Sequence, residues 1–152
     1  MIIKSDWEFG VLNVYNYKQS GKLDGYFDFI RNNHTNIEGD ICEVGVYRGS
    51  SIIATALLLK ELNSNKKVYG FDSFSGFPSY HENDNHFKFE ELFREDKISE
   101  KQYQDYLLNV GHKEFMIGKS VNSSTISTSA DFSETSLSFL EKKIEYLELD
   151  NI

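Results

Sequence analysis

The residues best placed to do chemistry are Glu43, Gly45, Gly49 and Asp72. They stand as Glu43-x-Gly45-x-x-x-Gly49 at the end of the short apolar run Ile41-Cys42-Glu43-Val44, and Asp72 follows Gly45 by 27 residues at the end of a second such run. Glycines in a loop between a strand and a helix let the backbone approach a ligand closely. The unpaired N–H groups that open the helix favour an anion or a carboxylate. An acidic residue closing the next strand is placed to accept hydrogen bonds from both hydroxyls of a ribose. Together these features point to a nucleoside-containing cofactor. A dinucleotide is disfavoured, because G-x-G-x-x-G would need glycines where Tyr47 and Ser50 stand. A phosphate-binding P-loop fails as well, since Gly49 is not followed by Lys and then Ser or Thr.

Other residues carry weaker signals. The single cysteine, Cys42, excludes an intrachain disulfide framework and a cysteine-rich zinc site, and inside a strand it is expected as an inert core filler. The run His81-Glu82-Asn83-Asp84-Asn85-His86 contains metal-binding residue types, but a solvated loop is the simpler reading. Sixteen basic against 24 acidic residues give a net charge of −8, which argues against a partner bound by phosphate neutralisation. No apolar run approaches the roughly 18 residues that span a bilayer, and the first residues lack a secretory pattern. A cytoplasmic protein with neither nucleic acid nor membrane as partner is therefore expected. At 152 residues the chain is one domain or part of a larger one.

The elements that position these residues follow from periodicity. Leu23, Tyr26, Phe27 and Ile30 mark a helix that Asn32-Asn33-His34 stops. Strands are predicted at 41–44, 67–71, 115–117 and 144–149. A helix apolar over most of its circumference runs from Ser50 or Ser51, as cap, through Leu62. Phe89, Leu92 and Phe93 mark another. A further helix opens with the capping box Ser99-x-x-Gln102 and is expected to stop at Gly111. Seven Ser or Thr residues fall within 120–130, read as a loop. Asp131 with Glu134 can cap a last helix containing Leu137 and Leu140. Such alternation calls for an α/β fold: a Rossmann-like open, mainly parallel sheet of about four strands. Residues 1–36 form an N-terminal helical or lid segment, and 37–152 a partial Rossmann-like cofactor-binding domain.

The spacing Glu43-x-Gly45-x-x-x-Gly49 is the nucleotide-loop form found in S-adenosylmethionine-dependent methyltransferases. Residues 39–51, GDICEVGVYRGSS, followed by residues 68–78, VYGFDSFSGFP, resemble the macrocin O-methyltransferase family. The resemblance is dense over residues 37–78. It returns weakly at Asp131-Phe132-Ser133-Glu134-Thr135 and again at 144–150. It implies a metal-dependent transfer of a methyl group from S-adenosylmethionine to a hydroxyl of a small molecule, typically a sugar of a natural product. Glu43, Gly45, Val46, Tyr47, Arg48, Gly49 and Ser50 would then surround the methionine part of the cofactor. Asp72 would hold the ribose, with Ser73 and Phe74 beside it, and Asp131 and Phe132 would lie near the adenine. Asp150 matches the first carboxylate of the family's Mg2+ site. His81 or His86 is placed to help close the substrate side, and no general base is assigned.

The family continues beyond the matching region with further acidic ligands. The chain is therefore expected to correspond to the family's N-terminal portion, the first half of its sheet. The alternative is a truncated, non-catalytic cofactor-binding or assembly domain. A homo-oligomer is left open.

Overall fold

In a computed structural model, which describes residues 3–76, 83, 87–118, 120 and 135–152, the longest apolar run of the sequence becomes the central helix. In chain order the elements are α1 (Asp6–Val11), α2 (Asp24–Asn33), β1 (Ile41–Val44), α3 (Ser50–Glu61), β2 (Val68–Phe71), α4 (Lys88–Arg94), α5 (Glu100–Ile117) and α6 (Leu137–Tyr146). They fall into two compact units. One comprises the chain up to Phe74 together with Thr135–Ile152, and the other Ser75–Glu134.

In the first unit, every residue from 52 to 59 of α3 is buried, as expected for a helix apolar on most sides. Around it lie Phe27 and Ile30 of α2, Val46, Val68, Leu140 and Leu147. Phe9 and Tyr17 extend this core with an edge-to-face pair of rings 5.6 Å apart. The two strands run parallel, with Ile41 paired to Val68 and Val44 to Phe71. Parallel neighbours need a crossover, which α3 supplies. The inner face of the sheet, with Glu43 and Gly70, lies against α3, whereas Cys42, Val44, Tyr69 and Phe71 lie on the opposite, exposed face. Cys42 is therefore not a core filler. Among the described residues α3 covers one face of this pair, and Cys42 is exposed on the other.

Two of the four predicted strands form; the other two segments are helical or turn. Residues 115–117 belong to the last turn of α5, where Phe115 and Met116 are exposed. Gly111 does not stop that helix, because Gly118 takes the left-handed C-cap instead, with φ 67°. A glycine inside a helix costs about 1 kcal/mol and is tolerated when the turns around it hold. Since among the described residues a Cβ at Gly111 would meet nothing within 4 Å, Gly111→Ala is expected to raise stability by roughly 0.5–1 kcal/mol, read from urea denaturation.

The segment 144–149 closes α6 rather than forming a strand. Glu148 adopts φ +51°, and the Glu148 and Leu149 N–H groups donate to the Glu145 and Ile144 carbonyls at 3.0 and 3.1 Å. This is a Schellman cap, and it buries Leu147 and Leu149 just as an alternating strand would. One trace of a third strand remains: the Val68 N–H donates to the Asn151 carbonyl at 2.7 Å.

In the second unit, the expected capping box is present, with Ser99 N–H donating to Gln102 Oε1 at 2.8 Å and Gln102 N–H to Ser99 Oγ at 3.3 Å. Tyr106 is buried and stacks on Phe89 at 4.8 Å, and Tyr103 stacks on Phe93 at 4.3 Å, so both tyrosines serve packing. Among the described residues no helix is long and apolar enough to cross a membrane.

Candidate functional site

The chain leaves β1 through a tight turn over residues 46–49, closed by the Gly49 N–H donating to the Val46 carbonyl at 2.9 Å. Gly45 and Gly49 have φ of +85° and +79°, and Tyr47 between them has φ +52°. A bulky residue in this left-handed region is strained, and it persists only where its surroundings hold it. Here they do. The Tyr47 N–H donates to Asp72 Oδ2 at 2.8 Å, and the Tyr47 carbonyl accepts from the Thr135 hydroxyl. The Arg48 carbonyl accepts from Lys143 Nζ at 2.9 Å.

Asp72, just past the end of β2, ties the two strand ends together. Its second oxygen, Oδ1, accepts from the Phe74 N–H at 2.7 Å, and Phe74 is also left-handed, with φ +52°. One carboxylate thus holds two strained residues. The glycines divide the work differently. Among the described residues, a Cβ on Gly45 would meet nothing within 4 Å, so they leave the space beside it open. A Cβ on Gly49 would come within 2.2 Å of Leu140 Cδ1, and one on Gly70 within 2.7 Å of Ile52 Cδ1 and 2.8 Å of Val46 Cγ2. Close approach to a ligand is therefore open at Gly45, while Gly49 and Gly70 make room for the protein's own packing.

Gly49 caps α3, so neither Ser50 nor Ser51 does so. Ser51 instead donates to Glu43 Oε1 at 2.9 Å, linking β1 to the first turn of α3. Behind it Thr55 Oγ1 donates to the Ser51 carbonyl and lies 2.9 Å from the Tyr26 hydroxyl. Burial raises the Glu43 carboxyl above the ordinary value of about 4.3, with the Ser51 hydroxyl opposing the rise. The folded state then keeps a proton that the unfolded chain has released, so this contribution to stability is lost as the pH rises from about 4.3 through the raised value. Glu43→Gln is expected to remove that loss. The melting temperature of the variant minus that of the wild type should grow from about pH 4 upward and then level off.

The remaining expected residues are less uniform. Val46 is buried in the core, Arg48 is exposed with its guanidinium 5.1 Å from the centre of the Tyr47 ring, and Ser73 is exposed beside Asp72. Phe74 packs against the core. Asp131, Phe132, His81 and His86 lie outside the described residues. Asp150, expected as a metal ligand, belongs to no metal-binding group of three or more side chains among the described residues. Its side chain is 85% exposed and pairs with Lys60 Nζ at 3.4 Å. Among the described residues, no three or more His, Cys, Asp or Glu side chains gather in a metal-binding group. The described residues do not fit a Mg2+ site. A cavity of about 540 Å³ lined by His34, Asp40, Asn63 and Lys66 lies beside the starts of the strands, away from loop 45–49.

Sequence reasoning missed Thr135, Lys143 and the Ser51–Glu43 contact. Lys143 had a readable signal: it sits three residues after Leu140 on the apolar stripe of α6, where a lysine is out of place.

The described residues thus contain a parallel β–α–β unit with a glycine loop at the carboxyl end of β1, clamped by an acidic residue from the end of β2, an arrangement compatible with a partial α/β fold. The family model described as Macrocin-O-methyltransferase (TylF) matches residues 22–117, more than half of the chain. The chain belongs to that family of methyltransferases, and its match is consistent with the family's N-terminal portion. Comparison with curated proteins and with solved structures finds no match.

Proposed function

We propose that the chain binds S-adenosylmethionine at loop 45–49 and Asp72 and serves methyl transfer to a hydroxyl of a small molecule, a sugar or another hydroxylated natural product. The observation that carries this reading is the family match over residues 22–117, which contains both the loop and its Asp72 clamp. When bound, the sulfonium supplies an already activated methyl group. The protein's work is then to hold and orient. Asp72 uses one acceptor position on each oxygen for backbone N–H groups, and a carboxylate has about four such positions, so it retains capacity for two ribose hydroxyls. The open space beside Gly45 admits the cofactor against the backbone. Glu43, Tyr47, Arg48 and Ser50 would border the methionine portion, and the first turn of α3 would face its carboxylate. Ser73 and Phe74 would lie beside the ribose.

The exposed sheet face formed by Cys42, Val44, Tyr69 and Phe71 favours a second reading, a cofactor-binding or assembly module without catalysis of its own. Calorimetric titration of the chain with S-adenosylmethionine tests the shared premise. Saturable one-to-one binding is expected, and a folded chain that releases no binding heat overturns it. A subsequent screen of hydroxylated acceptors separates the readings: methyl transfer supports the enzyme, and binding without transfer supports the module.

A further inference from the structure

We propose that Lys143, together with Thr135, is a positioning residue for loop 45–49: the two side chains hold the Arg48 and Tyr47 carbonyls and so set the peptide planes that face the cofactor. This rests on the reading above. Lys143 is only 5% exposed, on the same stripe of α6 as Leu140 and Leu147. Among the described residues no carboxylate pairs with it. Burial and the nearby Arg48 guanidinium both disfavour its charge. A leucine or methionine would serve the core better at that position. What Lys143 does supply is a donor that reaches the Arg48 carbonyl at 2.9 Å, 95 residues away in sequence.

The loop's hydrogen bonds explain why that donor matters. In a trans peptide the C=O and the next N–H point to opposite sides. The peptide 46–47 is held at both ends, by the Gly49 N–H at its oxygen and by Asp72 at its N–H. The peptide 48–49 is held at both ends as well, by Lys143 at its oxygen and by the Val46 carbonyl at its N–H. Between them the 47–48 peptide has its oxygen on Thr135, which turns the Arg48 N–H to the side away from Thr135. Three successive peptide planes are thereby fixed in a turn containing a strained Tyr47. Two of the four hydrogen bonds that fix them come from residues 135–143.

The test measures hydrogen exchange at individual amides by NMR, thermal melting, and affinity for S-adenosylmethionine in Lys143→Met, Lys143→Gln and Thr135→Val. Methionine keeps the apolar stem and removes both charge and donor. Lys143→Met is expected to melt within a few degrees of the wild type, while the Tyr47 and Gly49 amides, which are hydrogen-bonded in the loop, exchange about tenfold faster and those of 53–59 are unchanged. The dissociation constant for S-adenosylmethionine should rise about tenfold, and glutamine, which keeps a donor, should recover part of both losses. Thr135→Val removes the other donor without touching the core lysine and should give the same local acceleration, which decides the matter if Lys143→Met does not fold. Unchanged loop exchange in both foldable variants overturns the proposal. Accelerated exchange in a chain whose wild type does not bind S-adenosylmethionine sinks the cofactor reading but leaves the support of the loop by α6 standing.

Discussion

Asp72→Ala is expected to lower the stability of the chain by about 2–4 kcal/mol and to remove measurable binding of S-adenosylmethionine. The first effect follows from two backbone N–H groups, of Tyr47 and Phe74, that lose a charged acceptor at 2.8 and 2.7 Å. Hydrogen bonds to a charged group contribute roughly 1.5–3 kcal/mol each, and partial access of water offsets some of the loss. Both donors belong to residues in the left-handed region, so removing the carboxylate also frees two strained backbones to relax. The relaxed turn would no longer present its peptide planes in the arrangement a ligand requires. Asp72→Asn keeps one oxygen for one N–H but places an amide donor against the other, and it should fall about midway in stability. Urea denaturation and calorimetric titration of the three proteins read both effects. A stability loss with full binding would make Asp72 a clamp alone, and no change in either would remove it from the site.

Gly49→Ala is expected to cost about 2–4 kcal/mol, whereas Gly45→Ala costs only about 1–2. Both positions have positive φ, of +79° and +85°, so both replacements carry the left-handed penalty of an L side chain. They differ in what the new methyl meets. At Gly49 it comes within 2.2 Å of Leu140 Cδ1 and 3.4 Å of Ile53 Cδ1, in a core that cannot yield without leaving other atoms unsupported. Leu140 must change rotamer against the packed core or move together with α6. At Gly45 the methyl enters open space. Gly45→Ala should therefore stay folded and yet bind S-adenosylmethionine at least tenfold more weakly, because the methyl occupies room proposed for the cofactor. Denaturation curves for the pair, with a titration of Gly45→Ala, check the contrast. Equal stability losses at the two glycines would contradict the packing described at Gly49.

Much of the architecture is local and was readable for that reason. The stripe Leu23, Tyr26, Phe27 and Ile30 forms α2, the apolar run after Gly49 forms the buried α3, and Ser99 with Gln102 opens α5. In each case neighbours within four residues decide the conformation, through periodicity or a cap. The glycine spacing and Asp72 were also legible. Glycine at positive φ and an acidic residue at a strand end are chemical requirements written in residue type.

Other outcomes depended on what the chain meets far away. The alternation of residues 144–149 fits a strand and a Schellman cap equally, and only the position of Leu147 and Leu149 in the core selects the cap. Gly111 became an ordinary helical position because Gly118 ends α5. Cys42 is exposed because α3 covers one face of the strand pair and the thiol points to the other. The partners of loop 45–49 are the least local of all. Asp72, Thr135 and Lys143 reach it across 25, 88 and 95 residues. The sequence alone determines that a glycine loop and an acidic strand end exist. Only the tertiary structure decides which side chains hold the loop's carbonyls, because a backbone carbonyl accepts from any donor and carries no mark of its partner in residue type.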